Sequence, residues 1–343
     1  MTRIDLKFNR TGIRRWVIRY QFYRYACRTC TATFRSPRPL QTESRHGLGL
    51  LAHIVYQLVE LKVPQGAIAA SITQLFSLPL HRNAVIKQKT RAAEIYQVTY
   101  EGILRRILSG RLIHADETKI NLKRGSGYVW VLTNLEEVAY LYTDTREGEL
   151  VQSLLREFKG VLVTDFYAAY DSIDCPQQKC LIHLMRDLND DLLKQPFNEE
   201  LKDLAQAFAA LLKPIIETID RFGLKAHFLR KHKAFVARFY RTLAGADFKT
   251  ELVAKYKKRF EKNRGKLFTF LDYDGVPWNN NNAEHAIKSF ALLRTAIRGA
   301  SSGKGIREYL TLLSVCETCK YKGINFLAFL RSGEKDIDSK AHY

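Results

Sequence analysis

Three acidic residues, Asp116, Asp165 and Glu284, stand where a chain could assemble a phosphoryl-transfer centre from remote segments. Asp116 closes the apolar run Leu112-Ile113-His114-Ala115, and Asp165 closes Gly160-Val161-Leu162-Val163-Thr164. Glu284 follows Asn279-Asn280-Asn281-Asn282. Phosphoryl transfer on DNA asks little covalent chemistry of a protein. It needs two divalent cations, roughly 3.5–4 Å apart, that activate the attacking oxygen and steady the leaving one. Magnesium takes hard oxygen ligands, commonly a few carboxylates with water and phosphate. Two strand-terminal aspartates meet if their strands are neighbours, and a glutamate on a helix packed nearby completes the set. An ordinary polar strand end gives the same pattern in a chain with 35 acidic residues, so position alone leaves both readings open.

The elements that must position these acids are readable in outline. Leu112 to Asp116 reads as a strand, Tyr128 to Thr133 and Val138 to Tyr142 as a hairpin around Asn134 to Glu137, Glu147 to Phe158 as an amphipathic helix, and Gly160 to Asp165 as another strand. The Asn run should cap a helix, with Glu284 in its first turn and Ile287, Phe290 and Ala291 on its apolar face. Residues 4–35 look like short strands, including Trp16 to Tyr20 and Phe22 to Tyr25, and Ser36-Pro37-Arg38-Pro39 reads as a linker. Apolar spacing over 47–108, broken by Pro64 and Pro79, gives two or three helices that permit a helix-turn-helix module. Residues 186–266 read as helical, with breaks at Pro214 and Gly245.

With 343 residues, 46% hydrophobic and 26% charged, the chain is of ordinary globular composition, roughly two or three domains long. Its formal net charge is +20, which favours a polyanionic partner. The surplus is local. Residues 1–50 hold 11 Lys and Arg against two acids, and residues 221–266 hold 15 against three, so the rest of the chain is near neutral. Arg14, Arg15 and Arg19 in the first patch lie among Trp16, Tyr20, Phe22, Tyr23 and Tyr25, a mixture that suits nucleic acid and equally a ribbon packing its aromatics inward. Lys255, Lys257, Lys258 and Arg259 are the candidate phosphate contacts of the second. No run of ~18 uncharged apolar residues suggests a membrane span, the first 15 residues have no signal-peptide core, and six cysteines do not make a disulfide scaffold. A reducing, cytoplasmic setting is the default expectation.

In order, His114-Ala115-Asp116-Glu117-Thr118, Gly127-Tyr128-Val129-Trp130, Val163-Thr164-Asp165-Phe166-Tyr167, Cys180-x-x-His183 and Asn281-Asn282-Ala283-Glu284 resemble the bacterial transposases of the insertion sequence 66 family. Glu317-Thr318-Cys319-Lys320, Gly323-Ile324-Asn325 and Phe329-Leu330 resemble that family's tail, so the likeness covers about residues 1 to 330. Each motif is short, and their joint order carries the specificity. The resemblance implies an α/β, ribonuclease-H-like mixed sheet with a large helical insertion, preceded by a helical region and a small β-ribbon. It divides the chain into a ribbon (1–40), a helical DNA-binding region (41–110), a first catalytic part (111–185), a basic insertion (186–266) and a second catalytic part with a helical tail (267–343). It implies a DDE triad of Asp116, Asp165 and Glu284, separated by 49 and 119 residues, that binds two Mg2+ ions, with Mn2+ able to substitute. It further implies nicking at transposon ends, attack of the freed 3′-hydroxyl on target double-stranded DNA, a homo-oligomer in the active complex, and a place at the bacterial nucleoid.

Glu117 is not counted as a ligand, and Trp130 reads as core. Cys180 and His183 are read as structural or DNA-contacting, because a zinc site there needs two more ligands. Asn281 and Asn282 are expected to cap the helix that holds Glu284. Family members often carry a zinc ribbon with two Cys-x-x-Cys pairs. Cys27 and Cys30 match the second pair only, which makes zinc there doubtful; they read either as half of a ribbon whose N-terminal segment is missing or, preferred for this chain as written, as two ordinary thiols on a β-ribbon. Cys316 and Cys319 share a helix face with Leu312 and read as core. Two rival readings stand beside the transposase: a truncated, non-catalytic DNA-binding derivative, and a metal-dependent nuclease of the same fold.

Overall fold

The computed structural model describes residues 2–21, 23–35, 45–297, 299 and 301–339. The chain opens with an antiparallel hairpin, β1 (Thr2–Asn9) and β2 (Gly12–Arg19), followed by a smaller one, β3 (Arg24–Ala26) and β4 (Thr33–Arg35). The expected linker around Pro37 and Pro39 and the residue Phe22 lie outside the described residues. Among the described aromatics of the ribbon, Trp16, Tyr23, Tyr25 and Phe34 are exposed, and β1 packs on the body of the protein through Leu6.

Helices α1 (Leu48–Val55), α2 (Gln65–Phe76), α3 (Arg82–Ile95) and α4 (Gln97–Leu108) follow, with a π-turn at Tyr56–Glu60 after α1. The start of α1 is capped from a distance. Asp5 Oδ1 accepts the Leu50 N–H at 2.7 Å, which satisfies a first-turn donor that Gly47 cannot reach. A side chain at Gly47 would collide with the Asp5 carboxylate, so this close approach requires glycine.

The central sheet holds β5 (Leu112–Asn121), β6 (Ser126–Thr133), β7 (Val138–Thr143), β8 (Val161–Thr164) and β9 (Gln177–Lys179), in the order β7-β6-β5-β8-β9. β5, β6 and β7 are antiparallel neighbours, whereas β8 runs parallel to β5 and β9 parallel to β8. The expected hairpin is present. The helix between β7 and β8, α5, covers only Glu149–Leu154, shorter than the amphipathic run suggests. β5 continues five residues past Asp116, because its second half pairs only with β6. Asp116 therefore lies in mid-strand, just beyond the last residue pair that β5 shares with β8, rather than at a strand tip.

Side chains alternate between two cores, as the two-residue period of a strand demands. Ile113 and Leu162 face a core shared with α1–α4 and with α12 (Asn281–Ile297), α13 (Gly303–Tyr321) and α14 (Phe326–Ser332). Val161 and Val163 face a second core, made by α6 (Leu181–Lys194), α7 (Glu199–Phe222), α8 (Ala226–Leu229), α9 (Lys233–Gly245), α10 (Glu251–Lys262) and α11 (Arg264–Leu267). Cys316 and Cys319 are buried in the first core, as their spacing with Leu312 predicts.

Pro214 does not break α7. The helix runs through it, with Leu211, Leu212, Ile215 and Thr218 buried on both sides. A mid-helix proline costs about 3 kcal/mol, and burying several large apolar side chains at ~1.5–3 kcal/mol each exceeds that. β9 was invisible to hydropathy because its three residues are polar. Each is buried with partners. Gln178 spans the join between sheet and insertion: its Nε2 donates to the Leu267 carbonyl at 2.9 Å and its Oε1 accepts the Phe270 N–H at 3.0 Å. Gln178→Ala should therefore lower the unfolding free energy by about 2–4 kcal/mol, because it strands two buried backbone groups and leaves a void. Lys258→Ala, on the exposed side of α10, should stay within about 0.5 kcal/mol. Urea denaturation of the two variants checks this contrast.

Candidate functional site

The parallel pairing of β5 with β8 brings the two aspartates to one end of the sheet. The last shared pair is His114 with Val163, and two residues later the strands deliver Asp116 and Asp165. Asp165 Oδ1 accepts the Tyr167 N–H at 2.8 Å, a local turn that sets its carboxylate. Asp116 Oδ1 accepts the N–H of Glu117 at 2.8 Å.

Glu284 arrives on the first turn of α12, and Asn280 fixes where that helix begins. Asn280 is fully buried. Its Nδ2 donates to the Ala115 carbonyl at 2.9 Å, its Oδ1 lies 3.0 Å from His114 Nδ1, and its backbone carbonyl accepts the Glu284 N–H. One side chain thus ties the helix start to the two residues before Asp116. Asn281 and Asn282 do not play the capping part expected of them, because α12 already begins at Asn281. Asn281 is exposed. Asn282 acts further from the acids: its Nδ2 donates to the Asn134 carbonyl at 2.6 Å and its Oδ1 accepts from Tyr321 at 2.7 Å, pinning α12 to the β6–β7 turn and to α13. The buried face of α12 is Ala283, Ala286, Phe290, Leu293 and Ile297, with Ile287 and Ala291 only half-buried.

The three acids interact. Burial pushes the Asp116 carboxyl up to about 7, opposed by the Glu117 N–H and reinforced by the negative charges of Asp165, Glu117 and Glu284. Glu284 Oε1 is buried with no hydrogen-bond partner. Glu117 is engaged elsewhere. It pairs with Arg146 Nη2 at 2.6 Å and accepts from the Tyr170 hydroxyl at 2.9 Å. Burial still holds its carboxyl above the usual range, although Arg146 and Tyr170 pull the other way. Trp130, fully buried, donates its indole N–H to Thr143 and packs against Tyr167 and Tyr170, so it supports this wall from inside.

Cys180 and His183 stand beside Glu284. Cys180 is buried at the start of α6 and accepts the Asn280 N–H at 3.2 Å, while His183 Nε2 lies 3.7 Å from Glu284 Oε1. On the far side, the insertion touches the site through Arg259. Its guanidinium stacks 4.0 Å from the ring of Phe166, next to Asp165, and pairs with Asp187 at 2.7 Å. Lys257 donates to the carbonyls of Ala244 and Ala246, and Lys255 pairs with Glu251. Lys262 and Lys266 reach Asp171, which also binds the buried Lys179. Part of the second basic patch is thus spent holding the insertion together and onto the sheet. In the first patch, Arg14 and Arg19 are exposed on β2, and Arg15 donates to the Ser77 carbonyl at 2.8 Å. Cys27 and Cys30 lie at the β3–β4 bend with free thiols, and N–H groups of Cys30 and Thr29 bring the Cys27 thiol down to about 7.

Sequence reasoning missed Asn280, Arg146 and Lys179. Asn280 was in view within the Asn run; nothing in the sequence separates it from its neighbours.

The family model described as "Transposase IS66 family" matches residues 43–308, most of the chain, and the chain belongs to that family. Among curated proteins it is similar to three uncharacterized proteins of Sinorhizobium fredii. These are y4qI (26% identical, covering 68% of this chain and 49% of the relative), y4hP (22%, 90% and 62%) and y4jD (23%, 90% and 66%). The chain thus spans about half to two-thirds of the length of these relatives. No helix among the described residues is long and apolar enough to cross a membrane.

The raised Asp116 carboxyl has a signed consequence. Its ordinary value in an unfolded chain is near 4, so between about pH 4 and 7 the unfolded chain ionises it first and folding is penalised as pH rises. Without added metal, the stability of Asp116→Asn relative to the parent should grow across that window, by about 2–4 kcal/mol in total. Denaturation midpoints from pH 4.5 to 8 in chelator measure it.

Proposed function

We propose that this chain is a DDE transposase of an insertion sequence, which cuts DNA at the element's ends and joins the freed 3′-hydroxyl to target double-stranded DNA. The observation that carries the reading is the meeting of three sequence-remote acids at one sheet end, where Asp116 feels the charge of both Asp165 and Glu284. The strand order, with three antiparallel strands followed by two parallel to β5, suits a ribonuclease-H-like core. The helical block entering between Asp165 and Glu284 suits an inserted domain of the kind expected in that family.

The residues present fit a pair of Mg2+ ions, with Mn2+ as a substitute. All three side chains offer hard oxygens, Glu284 Oε1 is buried without a hydrogen-bond partner, and bound cations would offset the negative charge gathered around Asp116. Asp116, Asp165 and Glu284 would hold them, and the chemistry such ions supply when bound is activation of the attacking oxygen and stabilisation of the leaving one. The protein's own part is positional. Asn280 sets the height of Glu284 against β5. Arg146 and Tyr170 keep Glu117 turned from the cluster. Arg259 and Phe166 brace the turn that carries Asp165. The zinc-ribbon reading has two thiols, Cys27 and Cys30, where a structural zinc takes four ligands, and we assign no zinc there.

For DNA, β2 offers Arg14 and Arg19 beside exposed Trp16, and the outer face of α10 offers Lys258 and Lys255. Pairing of two element ends makes the active complex at least a dimer.

Two measurements test the reading. Millimolar Mg2+ should raise the melting temperature of the parent, and Asp116→Asn, Asp165→Asn and Glu284→Gln should each abolish that rise together with strand transfer on oligonucleotides carrying the element's ends. Variants that retain full strand transfer would end the assignment, and cleavage without joining would point to a nuclease. In salt titrations of DNA binding, Arg14→Ala and Arg19→Ala should each lower the slope of log K against log salt by about one, for any sequence tested. Loss confined to one sequence would make β2 a base reader instead.

A further inference from the structure

Cys180, His183 and Glu284 each point one ligand atom into a common space, all within 4.8 Å of one another. We propose that these three residues form a second metal site, for a borderline-soft divalent cation of the zinc class, that shares Glu284 with the magnesium centre. The donor set is the argument. One thiolate, one imidazole and one carboxylate with an open fourth position is the composition of an accessible zinc site, whereas magnesium takes neither sulfur nor, by preference, nitrogen. Zinc bonds of ~2.0–2.1 Å to nitrogen and oxygen at a tetrahedral angle put those two ligand atoms roughly 3.4 Å apart, close to the His183–Glu284 separation of 3.7 Å.

Burial raises the Cys180 thiol above its ordinary range, and the local N–H groups only partly offset this, so the geometry of the donor atoms carries the site. Cys180 stands at the N-terminal end of α6, and the backbone N–H groups of Ile182, His183 and Asn280 are directed at its sulfur. Two polar atoms at the same place lack partners: Glu284 Oε1, and His183 Nδ1, the other ring nitrogen. The side chains of His183 and Glu284 are 28% and 24% exposed, so an ion has a way in. A zinc-class ion bound through Glu284 Oε1 would hold the oxygen, and draw on the carboxylate charge, that the proposed magnesium centre also uses. Occupancy of the two sites is therefore antagonistic, and this consequence rests on the proposed function, whereas the site itself does not.

The test uses the full chain carrying Cys27→Ser and Cys30→Ser, which removes the exposed thiol pair, titrated with Co2+ as a spectroscopic stand-in for zinc. The expected result is one thiolate-to-cobalt charge-transfer band per chain, bleached by equimolar Zn2+, absent after Cys180→Ser, and weakened about tenfold or more in apparent affinity by His183→Ala or Glu284→Gln. Cys180 is buried, so circular dichroism accompanies its variant, and the half-exposed His183 gives an independent arm. No band in the double-serine parent, or a band indifferent to His183→Ala and Glu284→Gln, overturns the site. Asp116→Asn separates the two readings: it should remove the Mg2+ melting rise and leave the cobalt band. Prior Zn2+ loading should remove the rise in the parent, and a full rise with zinc bound overturns the antagonism.

Discussion

Mutual repulsion among carboxylates in a half-buried pocket is the constraint on which the rest of this structure turns. Burial raises the proton affinity of Asp116 most, and the negative charges of Asp165 and Glu284 add to it. A fold that gathers like charges in this way must hold them by force from elsewhere. The sheet does so for the aspartates through the rigid β5–β8 pairing, and Asn280 does so for the glutamate, spending its carbonyl, its amide and its backbone on the task. Glu117 adds a fourth negative charge beside Asp116, and its ion pair with Arg146 partly offsets it.

The helical insertion is attached by similar means. Asp171, between β8 and β9, binds Lys179 from the sheet and Lys262 and Lys266 from the end of the insertion. Gln178 secures the following turn by two buried hydrogen bonds. These polar ties lie where an apolar contact would not specify an orientation. Most of the basic surplus that reads in sequence as a surface for polyanions is exposed, and a few of its members also make structural contacts. Lys257 caps the carbonyls that end α9, and Arg259 braces the wall beside Asp165. Lys258, Arg14 and Arg19 remain on the surface.

What could be read from the sequence follows the strength of each local signal. β6, β7 and β8 are long or fully apolar, and the hairpin turn at Asn134 is chemically marked, so they were legible. The two strand-associated acids and the helix bearing Glu284 were legible too, because an apolar run ending in Asp and an Asn-rich helix start are local patterns. β9 was not, since Gln177, Gln178 and Lys179 are buried by virtue of partners far away in sequence. The uninterrupted course of α7 through Pro214 and the extension of β5 past Asp116 were decided by packing and by pairing with β6, which no short window contains. Asn280 could not be told from its three neighbours, because its role depends on the distance to Ala115 and His114 across the fold.

The most direct measurement of the central claim is anomalous diffraction from crystals of the chain soaked in Mn2+. The account predicts two peaks roughly 3.5–4 Å apart, bounded by the carboxylates of Asp116, Asp165 and Glu284. A map with no manganese among those three side chains, or with one of the three carboxylates turned away from the others, would contradict it.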